Sequence, residues 1–374
     1  MFVSFTLSRY IGRQFLLASA IALGAVLVIA GLIDLIELFR RTAERPNVPG
    51  SVVIEMSLLR LPYMAEQILP YGTLIGAMIA LTRLTRTQEL IVARAGGVSV
   101  WQFLMPAVLC GLGLGVLWIV LLNPIKAATI ARYDTLENRY IRGNTSLFSV
   151  SDSGLWVRQV ETSGKAVIFD KPIHEYILRA ARISQSDMTL HEVTIFGYGE
   201  DGAFIGRIDA DIANLREGYW QLEEAGVSVP GMVPQSLPSY QLETDLDIRH
   251  IQDSFADPST LSFWQLSSFI STLEKAGFSA LRHKLDWHSI LATPFMLAAM
   301  VLIAAVFSLR LHRRGRIGLM IVGGILAGFI INFFTSLFHA FGISGSLPIA
   351  LAAWAPPALA LMIGMVLLLH LEDG

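Results

Sequence analysis

Six apolar runs, each long enough to cross a lipid bilayer, constrain this chain more than any other feature. They lie at about residues 14–39, 61–81, 100–122, 288–309, 317–340 and 348–370. A bilayer core is about 30 Å thick, so a helix needs about 20 apolar residues to span it. Within lipid every backbone N–H and C=O must find a partner in the segment itself, which makes helix the expected form. Composition agrees. Of 374 residues, 53% are hydrophobic and 16% are charged, with a mean hydropathy of +0.57. Soluble chains carry about 25% charged residues.

The first run follows Arg9 and Arg13. It is longer than the apolar part of a signal peptide, and its Ala18-Ser19-Ala20 lies inside the run, so an uncleaved span is expected. Asp34, Glu37, Arg40 and Arg41 close it. Asp34 falls about 30 Å along the helix, at the opposite interface. The second run holds Pro62 and Pro70, both expected kinks. Gly111, Gly113 and Gly115 in the third run, and Gly324-x-x-x-Gly328 in the fifth, suit close helix contact.

From Asn123 to about Trp287 the long apolar runs stop. Residues 124–142 read as a helix leaving the membrane. Short alternating stretches follow, among them LWVRQV, HEVTIFGYG and AFIGRIDAD, with Asp201-Gly202 as a turn between two of them. Alternation at period two marks strands. Their even spacing leaves a sandwich, a jelly roll or an open barrel open. Asp257-Pro258 supplies an N-cap and a first-turn proline for a helix at 259–276, ended by Gly277. Its Leu261, Phe263, Trp264, Phe269 and Ile270 fit either a membrane surface or packing on the strands.

Orientation follows from Lys and Arg in short loops. With the N-terminus inside, the inner loops hold nine arginines (Arg9, Arg13, Arg83, Arg86, Arg94, Arg310, Arg313, Arg314, Arg316) against three outside (Arg40, Arg41, Arg45). Both termini are therefore expected in the cytoplasm, with the β region on the far side.

Chemistry-bearing motifs are scarce. The chain has no G-x-x-x-x-G-K-[ST], no H-E-x-x-H and no G-x-S-x-G, and His191-Glu192 lacks a second histidine at ligand spacing. Its one cysteine, Cys110, makes no intrachain disulfide and no cysteine metal cluster. Neither an enzyme nor a cofactor is expected. The distinctive polar stretch is the loop after the second run. Thr85 and Gln88 have capping-box spacing for a short helix Thr87–Ala95, and Gly96 can take the left-handed conformation after it. Ile91 and Ala95 share a face, while Glu89 and Arg94 are polar. Such a helix is either a dock for a cytoplasmic partner or a solvated loop.

The residues GAMIALTRLTRTQELIVARAGGVS (76–99) resemble the segment after the second span of the lipopolysaccharide export permeases, the LptF/LptG family. LSRYIGRQFL near the start and SLFSVSDSGLWVRQ at Ser146–Gln159 are similar to the LptG branch more than to LptF. This resemblance implies a membrane α+β fold: six transmembrane helices, three plus three, with an inserted periplasmic β-jellyroll-like domain. It implies residues 1–123 as spans one to three with a coupling helix at 85–97, residues 124–284 as the β domain with flanking helices, and residues 285–374 as spans four to six.

As implied by the family, the chain pairs with an LptF-like permease subunit. Facing first and fifth spans then enclose a lipopolysaccharide cavity. An LptB-like ATPase dimer docks on the cytoplasmic loops, and LptC- and LptA-like proteins extend a periplasmic bridge. Carried over by position, Glu89 matches an acid of the coupling helix, and Arg86, Leu90, Arg94 and Gly96 fall in the same segment. Arg40 and Arg41 match a basic pair at the rim, beside Glu37. Phe329, Phe333, Phe334 and Phe338 are candidates for lining an acyl-chain cavity. The family has lysine where this chain has Asp34, and an acid does not attract lipid phosphate. The alternatives are the LptF-type subunit, or a permease that moves no lipid and drives a periplasmic partner, a class that usually has four spans.

Overall fold

The computed structural model describes residues 5–43, 48–142, 147–151, 154–160, 166–169, 171–183, 189–216, 218–244, 257–275, 279–309 and 317–373. Two compact units emerge: Met1–Ile141 with Ser259–Phe263 and Leu281–Gly374, and Arg142–Pro258 with Trp264–Ala280.

The first unit is helical. It comprises α1 (Phe5–Thr42), α2 (Gly50–Arg86), the short α3 (Glu89–Ala95), α4 (Val100–Leu117), α5 (Asn123–Glu137), α7 (Leu281–Ser308), α8 (Ile317–Ile343) and α9 (Ile349–Asp373). Among the described residues six stretches are long and apolar enough to cross a membrane, as the apolar runs require. Pro62 and Pro70 sit inside α2 without ending it. The third span differs from expectation. A π-wound turn, Trp118–Leu122, joins α4 directly to α5, and the Trp118 carbonyl accepts from the Asn123 N–H. The helix reaches about residue 142, and the β unit begins there rather than at 124.

Small residues set the helix contacts. A Cβ on Gly76 would lie 2.3 Å from the Ser19 Cα, so α1 and α2 cross nearly backbone to backbone. One on Gly115 would lie 2.4 Å from the Pro294 Cα, which seats α4 on α7. Gly111 also faces α7, whereas Gly113 faces open space. Gly324 and Gly328 do pack, against Met78 and Leu74 of α2. At the centre is α7, whose Leu297, Ala299, Val301, Ala304 and Ala305 are fully buried.

The second unit is a seven-stranded antiparallel sheet in the order β1-β2-β5-β6-β7-β8-β9, with a β3–β4 hairpin beside it. The strands are β1 (Leu147–Ser151), β2 (Gly154–Val160), β3 (Val167–Ile168), β4 (Lys171–Pro172), β5 (Glu175–Ile183), β6 (Thr189–Tyr198), β7 (Phe204–Arg216), β8 (Tyr219–Ser228) and β9 (Gln235–Glu243). The strands form one antiparallel sheet in plain meander order around its own core, where a jelly roll has two sheets in Greek-key order. Period-two alternation turns Leu155, Val157, Tyr176, Leu178, Ile195, Ile208, Leu222 and Val227 inward. At Glu192 and Glu224 the backbone takes positive φ and the pairing skips. The register is unchanged across each gap, but the alternation shifts there, so Leu190 and Val193 both face the core. The fold-over is visible in a buried polar trio: Gln159 of β2 accepts from Tyr176 of β5, and from Thr244, just past β9, at 2.8 Å.

The helix expected at 259–276 begins later. Pro258–Thr260 is a 3-10 turn, and α6 runs Phe263–Lys275. Phe269, Ile270 and Leu273 pack on the sheet core, while Trp264 stays 61% exposed. Gly277 lies outside the described residues.

Candidate functional site

Three regions gather the residues singled out from the sequence. At the end of α1, Glu37 holds both arginines. Arg40 donates through Nε at 2.8 Å and Nη2 at 2.9 Å, and Arg41 through Nε at 2.8 Å. Helix geometry dictates this fork, because residues three and four apart share a face. The side chains of Arg40 and Arg41 remain 75% and 52% exposed.

Asp34 behaves differently. Its side chain is 6% exposed and accepts from Arg60 Nη1 of α2 at 2.6 Å. Arg60 also lies over the Tyr133 ring of α5. Asp34 is thus removed from the exposed rim and neutralised by a second helix. The acid that sequence reasoning set among the substrate contacts is a helix-to-helix contact. The cation of that pair, Arg60, was missed.

A second ion pair was also missed. Lys126 of α5 is buried and meets Glu66 of α2 at 2.8 Å. Trp118 Nε1 donates to the other Glu66 oxygen at 3.3 Å. Glu66 stands alone in the second apolar run, and an intramembrane acid is itself a pointer to a partner.

The second region is the loop at α3. Its helix is shorter than the expected 85–97. Helix α2 continues through Arg86, and the Thr85 hydroxyl donates to the Leu81 carbonyl instead of capping α3. Gln88, at φ 61°, makes the break. The left-handed residue at the other end is Gly97, at φ 82°, not Gly96. The Val98 N–H bonds back to the Ala93 carbonyl, the six-to-one bond of a Schellman end. Glu89 accepts from Thr87 at 2.8 Å and from the Tyr10 hydroxyl of α1 at 3.3 Å. Leu90 is buried in the core of the helical unit beside Leu84 and Phe103, so it anchors α3 and offers no partner a surface. Arg86 is exposed, and Val92, 70% exposed, is the apolar outer residue that sequence reasoning passed over. The side chains of Ile91 and Arg94 lie outside the description.

The third region is α8. Phe329, Phe333 and Phe334 are 61%, 65% and 47% exposed, and Phe338 is half-buried. Phe329 rests against Tyr71 of α2, and Phe333 against Phe334. Within their most apolar stretches, α1 and α8 are each 11% buried, against 78% for α7. Among the described residues no three His, Cys, Asp or Glu side chains gather as a metal site would need.

In the β unit, two hydrogen bonds from Arg158 hold the Glu175 carboxyl below the usual glutamate range, against the opposing pull of partial burial.

Comparison with known proteins adds a lineage to this geometry. The family model described as "Lipopolysaccharide export system permease LptF/LptG" matches residues 9–370. The chain is similar to the "Lipopolysaccharide export system permease protein LptG" of Escherichia coli strain K12, at 24% identity over 97% of this chain and 98% of that protein. The protein of the same name from Haemophilus influenzae is also 24% identical, over 87% of each chain.

Proposed function

Because the chain belongs to the lipopolysaccharide export permease family LptF/LptG, we propose that it is the LptG-type subunit of a transporter that extracts lipopolysaccharide from the inner membrane. One observation carries the reading furthest. In the most apolar stretches of the first and fifth spans, α1 and α8, only 11% of the residues are buried by the rest of the chain, against 78% in α7. Two such faces on one subunit suit a cavity completed by a second permease of the same kind, the LptF-type subunit. Acyl chains of the lipid partition into that apolar space.

Transport against the hydrophobic effect needs work, and the chain has no phosphate loop of its own. The source is a separate ATPase dimer docked on α3, with Glu89 and Arg86 facing it and Val92 as the apolar contact. Both termini are cytoplasmic and the β unit is periplasmic, where LptC- and LptA-like proteins continue the lipid's path. Arg40 and Arg41 bind lipid phosphate at the rim. Guanidinium binds phosphate in bidentate fashion, and such charge-assisted bonds are about twice as strong as neutral ones. The competing bonds to Glu37 are exposed to water and therefore weak.

Co-purification from native membranes tests the reading. A tagged chain is expected to bring down an ATPase and a second six-span permease. Recovery of neither overturns it, and a partner of LptG-type sequence makes this chain the LptF-type subunit. At the rim, a photo-crosslinker at position 40 or 41 is expected to capture lipopolysaccharide. With no crosslink and normal transport by Arg40→Ala/Arg41→Ala, the two arginines are only interface anchors.

A further inference from the structure

We propose that the buried Glu66–Lys126 pair is the register pin of α5 on α2, and that it positions the phosphate-binding rim two helical turns away. The inference rests on the rim reading above. Three contacts set the two helices antiparallel: Glu66 with Lys126, Arg60 over Tyr133, and Glu55 with Arg132 at 3.2 Å. Lys126 and Tyr133 are seven residues apart, about 10 Å along the helix. Tyr133 lies under Arg60 at 5.6 Å and shares a buried cluster with Leu38 of α1, two residues before Arg40, so the face that α5 presents bears on the end of the helix that carries the rim arginines.

The chemistry of the pair explains its place. Lys126 is 4% exposed, and both Glu66 carboxylate oxygens are engaged, one by Lys126 and one by Trp118. The neighbouring contact residues Ala127 and Ile130 are apolar and buried. Apolar contacts alone would tolerate a slip of one turn, about 5.4 Å, with similar burial. A slip that separates Lys126 from Glu66 leaves two uncompensated charges in a low-dielectric interior. Register selection is the best-attested use of such buried polar groups. The need for it is concrete here. The π-wound turn just before α5 inserts an extra residue per turn and rotates the helix that follows, so an independent contact must choose the face that α5 presents.

The test uses the purified full-length chain in dodecyl maltoside micelles, with bisphosphorylated lipid A and the same lipid stripped of its phosphates as probes. Wild type is expected to prefer the phosphorylated form. Glu66→Leu/Lys126→Leu is expected to fold, to melt no lower than wild type, and yet to lose about tenfold of that preference. Affinity for the stripped lipid should not change. The charge swap Glu66→Lys/Lys126→Glu should recover most of the loss. A second readout needs no lipid. With Cys110 replaced, cysteines at positions 55 and 132 should crosslink in the wild-type background, and the yield should fall in the apolar double variant.

An apolar double variant with unchanged preference and crosslinking overturns the register pin. If Arg40→Ala/Arg41→Ala loses the preference while the apolar double keeps it, the pin fails alone and the rim reading stands. Absence of any preference in wild type removes the rim reading itself. Displacement of the lipid by millimolar inorganic phosphate would assign the rim to free phosphate and overturn lipid as its ligand.

Discussion

Asp34 shows how a single charge changes meaning between sequence and structure. As a letter at the end of an apolar run it is a rim acid, and as a placed side chain it is half of an interhelical pair with Arg60. Removing one partner of a fully buried pair costs roughly 3–5 kcal/mol. Arg60 keeps a third of its side chain exposed and can turn to water, so about 1–2 kcal/mol is expected for Asp34→Ala after allowance for that screening. Thermal unfolding in detergent should show it, and Asp34→Ala/Arg60→Met should regain most of the loss. A double variant as unstable as the single would deny the pairing.

In the β unit, Glu175 carries a pH signature. Its pKa is lowered in the folded chain by Arg158, so the unfolded chain binds that proton more tightly. The resulting stability is present above the ordinary glutamate pKa, about 4.3, and is lost as pH falls through the lowered value. Melting curves between pH 3 and 7 should therefore fall less steeply on the acid side for Glu175→Gln than for wild type. Superimposable pH profiles would exclude this linkage.

Among the helices, backbone proximity decides what a substitution does. Gly113 and Gly115 sit one residue apart on α4, with opposite surroundings. Gly113→Leu points into open space and is expected to fold normally, whereas Gly115→Leu strikes the Pro294 backbone and is expected to abolish folded, detergent-stable protein. Overpacking in a filled core costs about 1–3 kcal/mol even where side chains can yield, and here the obstacle is backbone. Equal yields of the two variants would refute the α4–α7 crossing.

The short α3 depends on its end. Gly97→Ala forces a Cβ into the left-handed region at a cost of about 1–2 kcal/mol. That strain should loosen α3 and weaken ATPase retention on a column, while Gly96→Ala, whose Cβ would meet only ordinary contacts at 3.4 and 3.6 Å, should bind as wild type. Glu89→Lys is expected to reduce transport strongly with insertion intact. Unchanged lipid release and ATPase association in that variant would take Glu89 out of the docking face.

For the molecule as a whole, the prediction is topology. With Cys110 replaced, a cysteine at Asp201, exposed in the β6–β7 turn, should react with an impermeant thiol reagent in cells with a permeabilised outer membrane. One at Thr87, exposed beside α3, should react only after lysis. The reverse pattern would invert the chain. Among the described residues six stretches are long and apolar enough to cross a membrane, against the four spans usual in permeases that move no lipid.

The sequence by itself determined the six spans, because burying about 20 apolar residues in lipid is a local demand that each run meets alone. It determined the strand-rich centre for the same kind of reason, since period-two alternation is written in neighbouring residues. The arginine pair at the rim was legible too, as was its fork to Glu37, because residues three and four apart on a helix must meet. Where helices meet was another matter. Nothing local pairs Asp34 with Arg60, or Glu66 with Lys126, since each pairing joins positions far apart in the chain. The same holds for Leu90, next to Glu89 in a polar loop yet buried among residues from other helices, and for the sheet that closes on itself through Gln159 and Thr244. Those outcomes depend on which surfaces press together, and only the tertiary structure decided them.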